Sequence, residues 1–172
     1  MVKRSGFYIE DGHICRKDVK IDWDLGFDKA AKWEYIDRII KVLGDGLNPV
    51  VDVTTAAYDN ESRSLSPFFV KINGNSVEVQ WAELKAQNAG ITNLPGAFDF
   101  LYLNALSEKQ VAYVLKQKCF IDVFHNPDKA FNTQAKSLAV LQLLHSQDCM
   151  EYLHDLRVFT AWYVEYCDEN IY

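Results

Sequence analysis

The chain has 172 residues, 49% hydrophobic and 24% charged, with a net charge of −6. That length suits one globular domain with a sizeable core. The negative balance argues against a basic groove tracking a nucleic-acid backbone by counterion release, while leaving contact with a single nucleotide open.

In chain order, "FYIEDGHICRKDVKID" reads as two short strands joined at Asp11-Gly12, a favoured hairpin turn pair. "GFDKAAKWEYIDRIIKVLGDG" carries Phe27, Ala31, Ile36, Ile39, Ile40 and Leu43 at helical spacing, with Gly44 and Gly46 where a C-terminal cap belongs. "NPVVDVTT" reads as a short strand and "YDNESRSL" as a polar surface loop. "SPFFVKINGNSVEVQ" fits either a hairpin or a strand running into a helix capped by Ser76. The second is favoured, because 82–87 are all good helix formers, with Asn88 and Gly90 ending the helix.

A loop with Pro95 and Gly96 then leads into "AFDFLYLNAL", an apolar, buried helix. Ser107 and Gln110 form an S-x-x-Q capping box for the next helix. "CFIDVF" is extended, a helix starts at Asn126-Pro127 and runs to about Leu144, and a last helix covers about 148–167 with a wide apolar face. The pattern predicts an α+β fold: a mostly helical single domain over 1–172 with a few short N-terminal strands.

No apolar run approaches the ~18 residues of a membrane span. "MVKRSGFYIE" has a basic start but no apolar core, so no signal peptide is expected and the chain reads as cytoplasmic. Cys15, Cys119, Cys149 and Cys167 form no CxxC pair, and the four histidines no HExxH. Reduced core thiols are expected, with no metal and no cofactor.

Three stretches carry candidate chemistry. In "VEVQWAELKA", read as a helix, Glu78 and Lys85 lie about 20° from alignment after two turns, with Trp81 and Ala82 between them. A carboxylate, a ring and an ammonium on one stripe suit a sugar: the ring packs on a ribose face, the acid takes its hydroxyls, and the amine attacks or polarises the anomeric carbon. The same spacing fits a surface helix with scattered charges and one buried Trp, and such triplets are common on amphipathic helices. In "FIDVFHNP", Asp122 interrupts an apolar run, where an ionised carboxylate needs partners. As a strand, Phe120 and Asp122 share one face and Ile121 and Val123 the other; the plain alternative is a strand-end Asp accepting backbone N–H bonds. Asp99 reads first as a helix-start acid helped by the dipole, and His125 as a loop histidine.

"FHNPDKAFNTQAKSLAV" raises a separate question. Its helix would bury Phe131, Ala135, Leu138 and Leu141, yet Asn132 and Gln134 fall on the borders of that stripe. A buried amide without partners costs roughly 1–3 kcal/mol, so backbone or a polar ligand must satisfy them.

From "AFDFLYLNAL" to "LAVLQLL" the chain resembles the C-terminal half of one branch of the NADAR (YbiA-like) superfamily. That branch accompanies DarT-type DNA ADP-ribosyltransferase toxins. Its hallmark is approximately FYDWLY-(I/L)-x-AL followed by FTDIEFNPKKSINCQARA; residues 98–106 and 120–135 follow it, with Asp99, Asp122, Asn126, Pro127, Lys129, Asn132, Gln134 and Ala135 retained. Upstream, "LSPFFVKINGNSVEVQWAELK" is similar to LSAFNL…VExxFQxSK, keeping Leu65, Ser66, Phe68, Glu78 and Lys85. "GFDKAAKWEYIDRII" looks like the GFSxxQKxKxI segment.

The resemblance implies a NADAR-like fold and chemistry on N-glycosidic bonds to ribose. Members linked to these toxins remove ADP-ribose from guanine bases, and relatives cleave riboflavin-pathway intermediates. On this reading Lys85 attacks or stabilises C1 of an opened ribose, Glu78 is the acid/base and Asp122 orients the sugar. Glu78 beside Lys85 also suits the opposite role, holding the amine protonated and non-nucleophilic. Ser66, Phe68, Asp99, Asn126, Asn132 and Gln134 would contact substrate, together with Trp81 from the helix stripe.

The chain departs from the family at three places. The Gln between the family's Glu and Lys is Ala82, the Glu of DIEFNP is Phe124, and only "ITNLPGA" stands where relatives carry a long segment that covers the pocket. Two function classes follow. One is a glycosidase acting on an ADP-ribosyl group, on guanine or in a related nucleotide glycoside. The other is a catalytically inactive NADAR-like module that binds a nucleotide or a protein partner in a defence or phage context. A third reading keeps the motif residues as folding determinants alone, with backbone-paired amides and no concavity beside them. The expected partners are a small-molecule nucleotide or ADP-ribosylated base and a toxin or defence protein, with no extended nucleic-acid groove and no membrane.

Overall fold

The computed structural model describes residues 2–22, 29–43, 46–55, 57–123 and 134–167. Strands β1 (Val2–Glu10) and β2 (His13–Ile21) form an antiparallel hairpin. Its turn places Asp11 and Gly12 at φ 51° and 76°, the left-handed pair that a two-residue hairpin requires. Helix α1 (Lys29–Leu43) follows, then β3 (Val50–Asp52). Much later in the chain, β6 (Cys119–Ile121) inserts between β1 and β3, giving the order β2-β1-β6-β3, antiparallel to β1 and parallel to β3.

A central strand buried on both faces must be apolar throughout, and all three residues of β6 are buried. Alternation sorts its side chains. Cys119, Ile121 and Val123 pack under α1 with Val19, Ile21, Tyr35, Ile36, Ile39 and Leu43. Phe120 faces the opposite layer, with Val51, Val53 and the helices α4 (Ala97–Asn104), α6 (Gln134–Ser146) and α7 (Leu156–Tyr166). The sheet is thus covered on both sides, and the carboxyl ends of β3 and β6 point the same way. The α+β reading holds, with helices predominating among the described residues.

Local signals account for most elements. Ser107 Oγ accepts from Gln110 N at 3.3 Å, and Gln110 Oε1 accepts from Ser107 N at 2.9 Å, a full capping box for α5 (Glu108–Val114). All four cysteines are free thiols.

Three expectations need correction. "YDNESRSL" is not all loop: α2 (Asn60–Ser64) forms within it, capped by Asp59, whose carboxylate accepts from Ser62 N at 2.7 Å. A single turn has no apolar periodicity to read. The hairpin and the helix at 71–86 are not alternatives, since β4 (Lys71–Ile72) and β5 (Asn75–Ser76) turn at Asn73-Gly74 and run directly into α3 (Val77–Ala86). Ser76 closes the ladder and caps the helix, its Oγ accepting from Val79 N at 3.3 Å. Finally, 148–167 is not one helix. A 3₁₀ turn at Met150–His154 precedes α7, which Asp155 caps by accepting from Arg157 N at 2.8 Å; a strong N-cap acid starts a new helix where the apolar pattern alone runs on. The expected helix start at Asn126-Pro127 lies outside the described residues.

Gly96 joins the loop to α4 at φ 72°, and a Cβ there would lie 2.7 Å from Tyr163 ring carbons. Gly96→Ala therefore combines a left-handed backbone penalty with overpacking. It is expected to cost at least about 2 kcal/mol in urea unfolding; an unchanged midpoint would show that Tyr163 moves freely.

Candidate functional site

Beyond the carboxyl ends of the parallel pair β3 and β6 lies a cleft of about 210 Å³, the position where open sheets place ligands. Each strand supplies its next residues: Thr54 and Thr55 after β3, and Asp122 after β6. The turn at Ser66, Pro67 and Phe68 forms another wall, and Glu78 and Gln134 enter from the starts of α3 and α6. Five segments of the chain therefore meet here.

The turn is held tightly. Ser66 is buried, its carbonyl accepts from Phe69 N at 2.8 Å and Val70 N at 3.0 Å, and its Oγ accepts from Phe68 N at 3.4 Å. Pro67 O accepts from Glu78 N at 3.3 Å, which fastens the first turn of α3 to this wall. Tyr102 in α4 donates its hydroxyl to Leu65 O at 2.5 Å. Burial, and then the nearby Asp122 charge, push that hydroxyl's pKa far up, so it stays a donor. Phe68 itself is exposed at the mouth.

Asp122 is buried, between two other ionisable side chains. On the β1 side stands Arg4, also buried, whose Nε donates to Val123 O and whose Nη1 donates to Lys3 O at 2.8 Å. Burial lowers the Arg4 pKa and the Asp122 charge partly offsets this. On the β3 side stands Asp52. Its Oδ2 accepts from Thr54 Oγ1 at 2.6 Å, and its Oδ1 accepts from Thr54 N at 3.3 Å and Val123 N at 3.5 Å. Burial raises the Asp52 pKa to about 7, with Thr54 opposing and the Asp122 charge adding to the rise.

The structure gathers Ser66, Phe68, Glu78, Asp122 and Gln134 around one cleft. It places the others elsewhere. Trp81 is buried edge-on against Phe98, with ring centres 5.6 Å apart. Lys85 is exposed, with its Nζ 5.4 Å above the Trp81 ring, and does not line the cleft. Asp99 is buried with Lys136, Ser137 and Tyr163; burial raises its pKa against their opposing effects. Asn126 and Asn132 lie outside the described residues. Gln134 borders the cleft.

Thr54, Thr55, Asp52 and Arg4 were not among the sequence candidates. Asp52 carries the signal that singled out Asp122, an acid inside an apolar run. Arg4 carries none, since its neighbours decide its surroundings.

A family model described as DarT1-associated NADAR antitoxin matches residues 75–171, more than half of the chain. The chain belongs to that NADAR family. Glu78, Asp122 and Gln134 fall inside the match, while Thr54, Thr55, Ser66 and Phe68, which complete the cleft, precede it, as do Arg4 and Asp52. The antitoxin description associates this NADAR protein with a DarT toxin. A search of the curated proteins returned no match. Among the described residues, no helix of this NADAR protein is long and apolar enough to cross a membrane.

Proposed function

We propose that this NADAR protein is an N-glycosidase that removes an ADP-ribosyl group from a modified base, guanine being the expected one, in a DarT toxin–antitoxin setting. The observation that supports it is the convergence of Glu78, Asp122 and Gln134 on one cleft. An acid at the first turn of α3, a buried acid and an amide form a donor and acceptor set suited to sugar hydroxyls. At about 210 Å³ the cleft falls below the roughly 300–1,000 Å³ of sites enclosing whole drug-sized ligands. It suits one ribosyl unit with the rest of the nucleotide outside. Because both halves of the chain build this cleft, we read 1–172 as one functional domain.

In this mechanism Asp122 holds ribose hydroxyls, Glu78 moves the proton between the glycosidic leaving group and water, and Lys85 engages C1. Lys85 must first leave Trp81. That step is small, since a solvent-exposed cation over a ring is worth about 0.5–1 kcal/mol, although Lys85 starts about 10 Å along the helix axis from Glu78. The resting place of Lys85 favours the second reading, a module that binds a nucleotide or protein partner without turnover.

The two readings separate when wild type and Lys85→Ala are incubated with ADP-ribosylated guanosine and followed by mass spectrometry, with ADP-ribose binding measured by calorimetry. The glycosidase releases free ADP-ribose and loses that release in the variant. ADP-ribose binding without release assigns the module, and absence of both removes the ribosyl reading.

A further inference from the structure

Strand alternation decides which side chains can reach the end of β6, and from which face. Asp52 on β3 and Gly6 on β1 both lie opposite Ile121. Asp52, and Arg4 two residues before Gly6, therefore point to the face that Ile121 and Val123 share under α1. Phe120 points to the other face, and the same alternation sends Asp122 there. Arg4 and Asp52 thus come at Asp122 from behind, through its backbone. Arg4 Nε donates to Val123 O, and Asp52 Oδ1 accepts from Val123 N at 3.5 Å. Before Asp122, Ile121 O accepts from Val53 N at 3.0 Å. Both peptide groups that flank the Asp122 Cα are tied to the β3 segment, one by its carbonyl and one by its N–H.

We infer that Asp52 is a positioning residue of the cleft, a bracket that fixes where Asp122 projects, with Arg4 holding the next carbonyl from the β1 side. The bracket is anchored at its other end as well. Asp52 Oδ2 lies 2.6 Å from Thr54 Oγ1, and Oδ1 accepts from Thr54 N at 3.3 Å. Thr54 lines the cleft together with Asp122. One buried carboxyl thereby joins the two segments that leave the parallel strands, Thr54 after β3 and Val123 after β6. The physical reason lies in the cleft itself. Parallel strands must part to open it, and their buried N–H groups then need acceptors other than the ladder. Asp52 is such an acceptor for two of them, one on each side of the opening.

The consequence is that Asp122 projects into the cleft from a backbone fixed on both sides. A group that meets a ligand must be held to within about 0.5 Å of its productive place, and these contacts supply that support from outside the cleft. The use of the bracket on a ribosyl group rests on the function proposed above; the bracket itself does not.

The test takes the full chain as wild type, Asp52→Asn, Asp52→Ala, Arg4→Met, Arg4→Lys, Asp122→Asn, and Asp52→Ala combined with Asp122→Asn. Amide hydrogen exchange followed by NMR reads the bracket without any ligand. Relative to Phe120 in mid-β6, the Val123 amide should exchange slowly in wild type and in Asp52→Asn, whose side-chain oxygen still accepts. In Asp52→Ala it should exchange about tenfold faster or more. Calorimetry with ADP-ribose reads the use of the bracket. Asp52→Ala should weaken binding about tenfold, the worth of one misplaced hydrogen bond, and Asp52→Asn should restore it. In the Asp122→Asn background Asp52→Ala should cost nothing more, whereas a residue acting on the fold at large would add its loss again. Arg4→Met should also weaken binding and Arg4→Lys restore it, which keeps the inference open to refutation if Asp52→Ala does not fold. A Val123 amide as slow in Asp52→Ala as in wild type, or a full further loss in the double variant, overturns the bracket. So does unchanged binding in Arg4→Met. The expected exchange pattern in a chain that binds no ADP-ribose would keep the bracket and remove the ribosyl reading.

Discussion

Glu78→Gln is expected to lower release of ADP-ribose from modified guanosine by a factor of about 10²–10⁴, the usual loss when a positioned general acid/base is removed. The same substitution should hardly affect stability. Glu78 is only half-buried, and its charge at the first turn of α3 is worth about 0.3–1 kcal/mol through the helix dipole. Its backbone N–H, which ties α3 to Pro67, is untouched by the change. A large loss of turnover with a small loss of stability is therefore the signature of a group acting on substrate. Single-turnover assays and urea unfolding on one preparation check both halves. Retained turnover would remove Glu78 from the chemistry and leave Asp122 as the acid to examine. An Asp99→Asn variant offers a contrast. Asp99 sits among Lys136, Ser137 and Tyr163, so its loss should act on stability first.

The second large effect is the pH dependence of folding. Asp52 has its folded-state pKa raised from 3.8 to about 7 by burial, aided by Asp122. Between those values the folded chain keeps a proton that the unfolded chain has released, so stability falls as pH rises through about 4 to 7. The full difference is on the order of 4 kcal/mol, at about 1.4 kcal/mol per pH unit. Asp99 is raised too and acts in the same sense.

Asp18 acts oppositely. Lys3 at 2.8 Å, Ser5 at 2.6 Å and Arg16 at 2.7 Å outweigh its desolvation and lower its pKa to about 2. Its contribution is present above pH 3.8 and is lost as pH falls toward 2. Urea unfolding from pH 4.5 to 8 should show wild-type stability declining, with Asp52→Asn removing most of that slope whatever its effect on the absolute value. An identical slope in the variant would assign the decline to other groups.

Much of the local structure was legible because its causes are local. Asp11-Gly12 turns the hairpin through its own backbone preference, and Ser107 with Gln110 caps α5 whatever packs on it. The apolar spacing of 36–43 marks a helix that buries Ile36, Ile39 and Leu43. Where cause and consequence were less local, the reading slipped. Asp59 starts a helix that the apolar pattern does not mark, and Asp155 starts one at a point where that pattern runs on without a break.

The site divides along the same line. Glu78 could be singled out by the stripe it shares with Trp81 and Lys85, and Asp122 and Gln134 as an acid and an amide set against apolar residues; the family resemblance runs through all three. That one cleft gathers them, and that Lys85 and Trp81 turn to each other beside it, depends on how α3 packs against the turn at Ser66. Arg4 and Asp52 reach the Val123 backbone, next to Asp122, only because β6 threads between β1 and β3. The sequence by itself determined the chemical types available and the elements that carry them. The strand order decided which charged residues gather about the end of β6, because bringing Arg4 and Asp52 to the Val123 backbone beside Asp122 is a property of the sheet, and no local pattern in the chain encodes it.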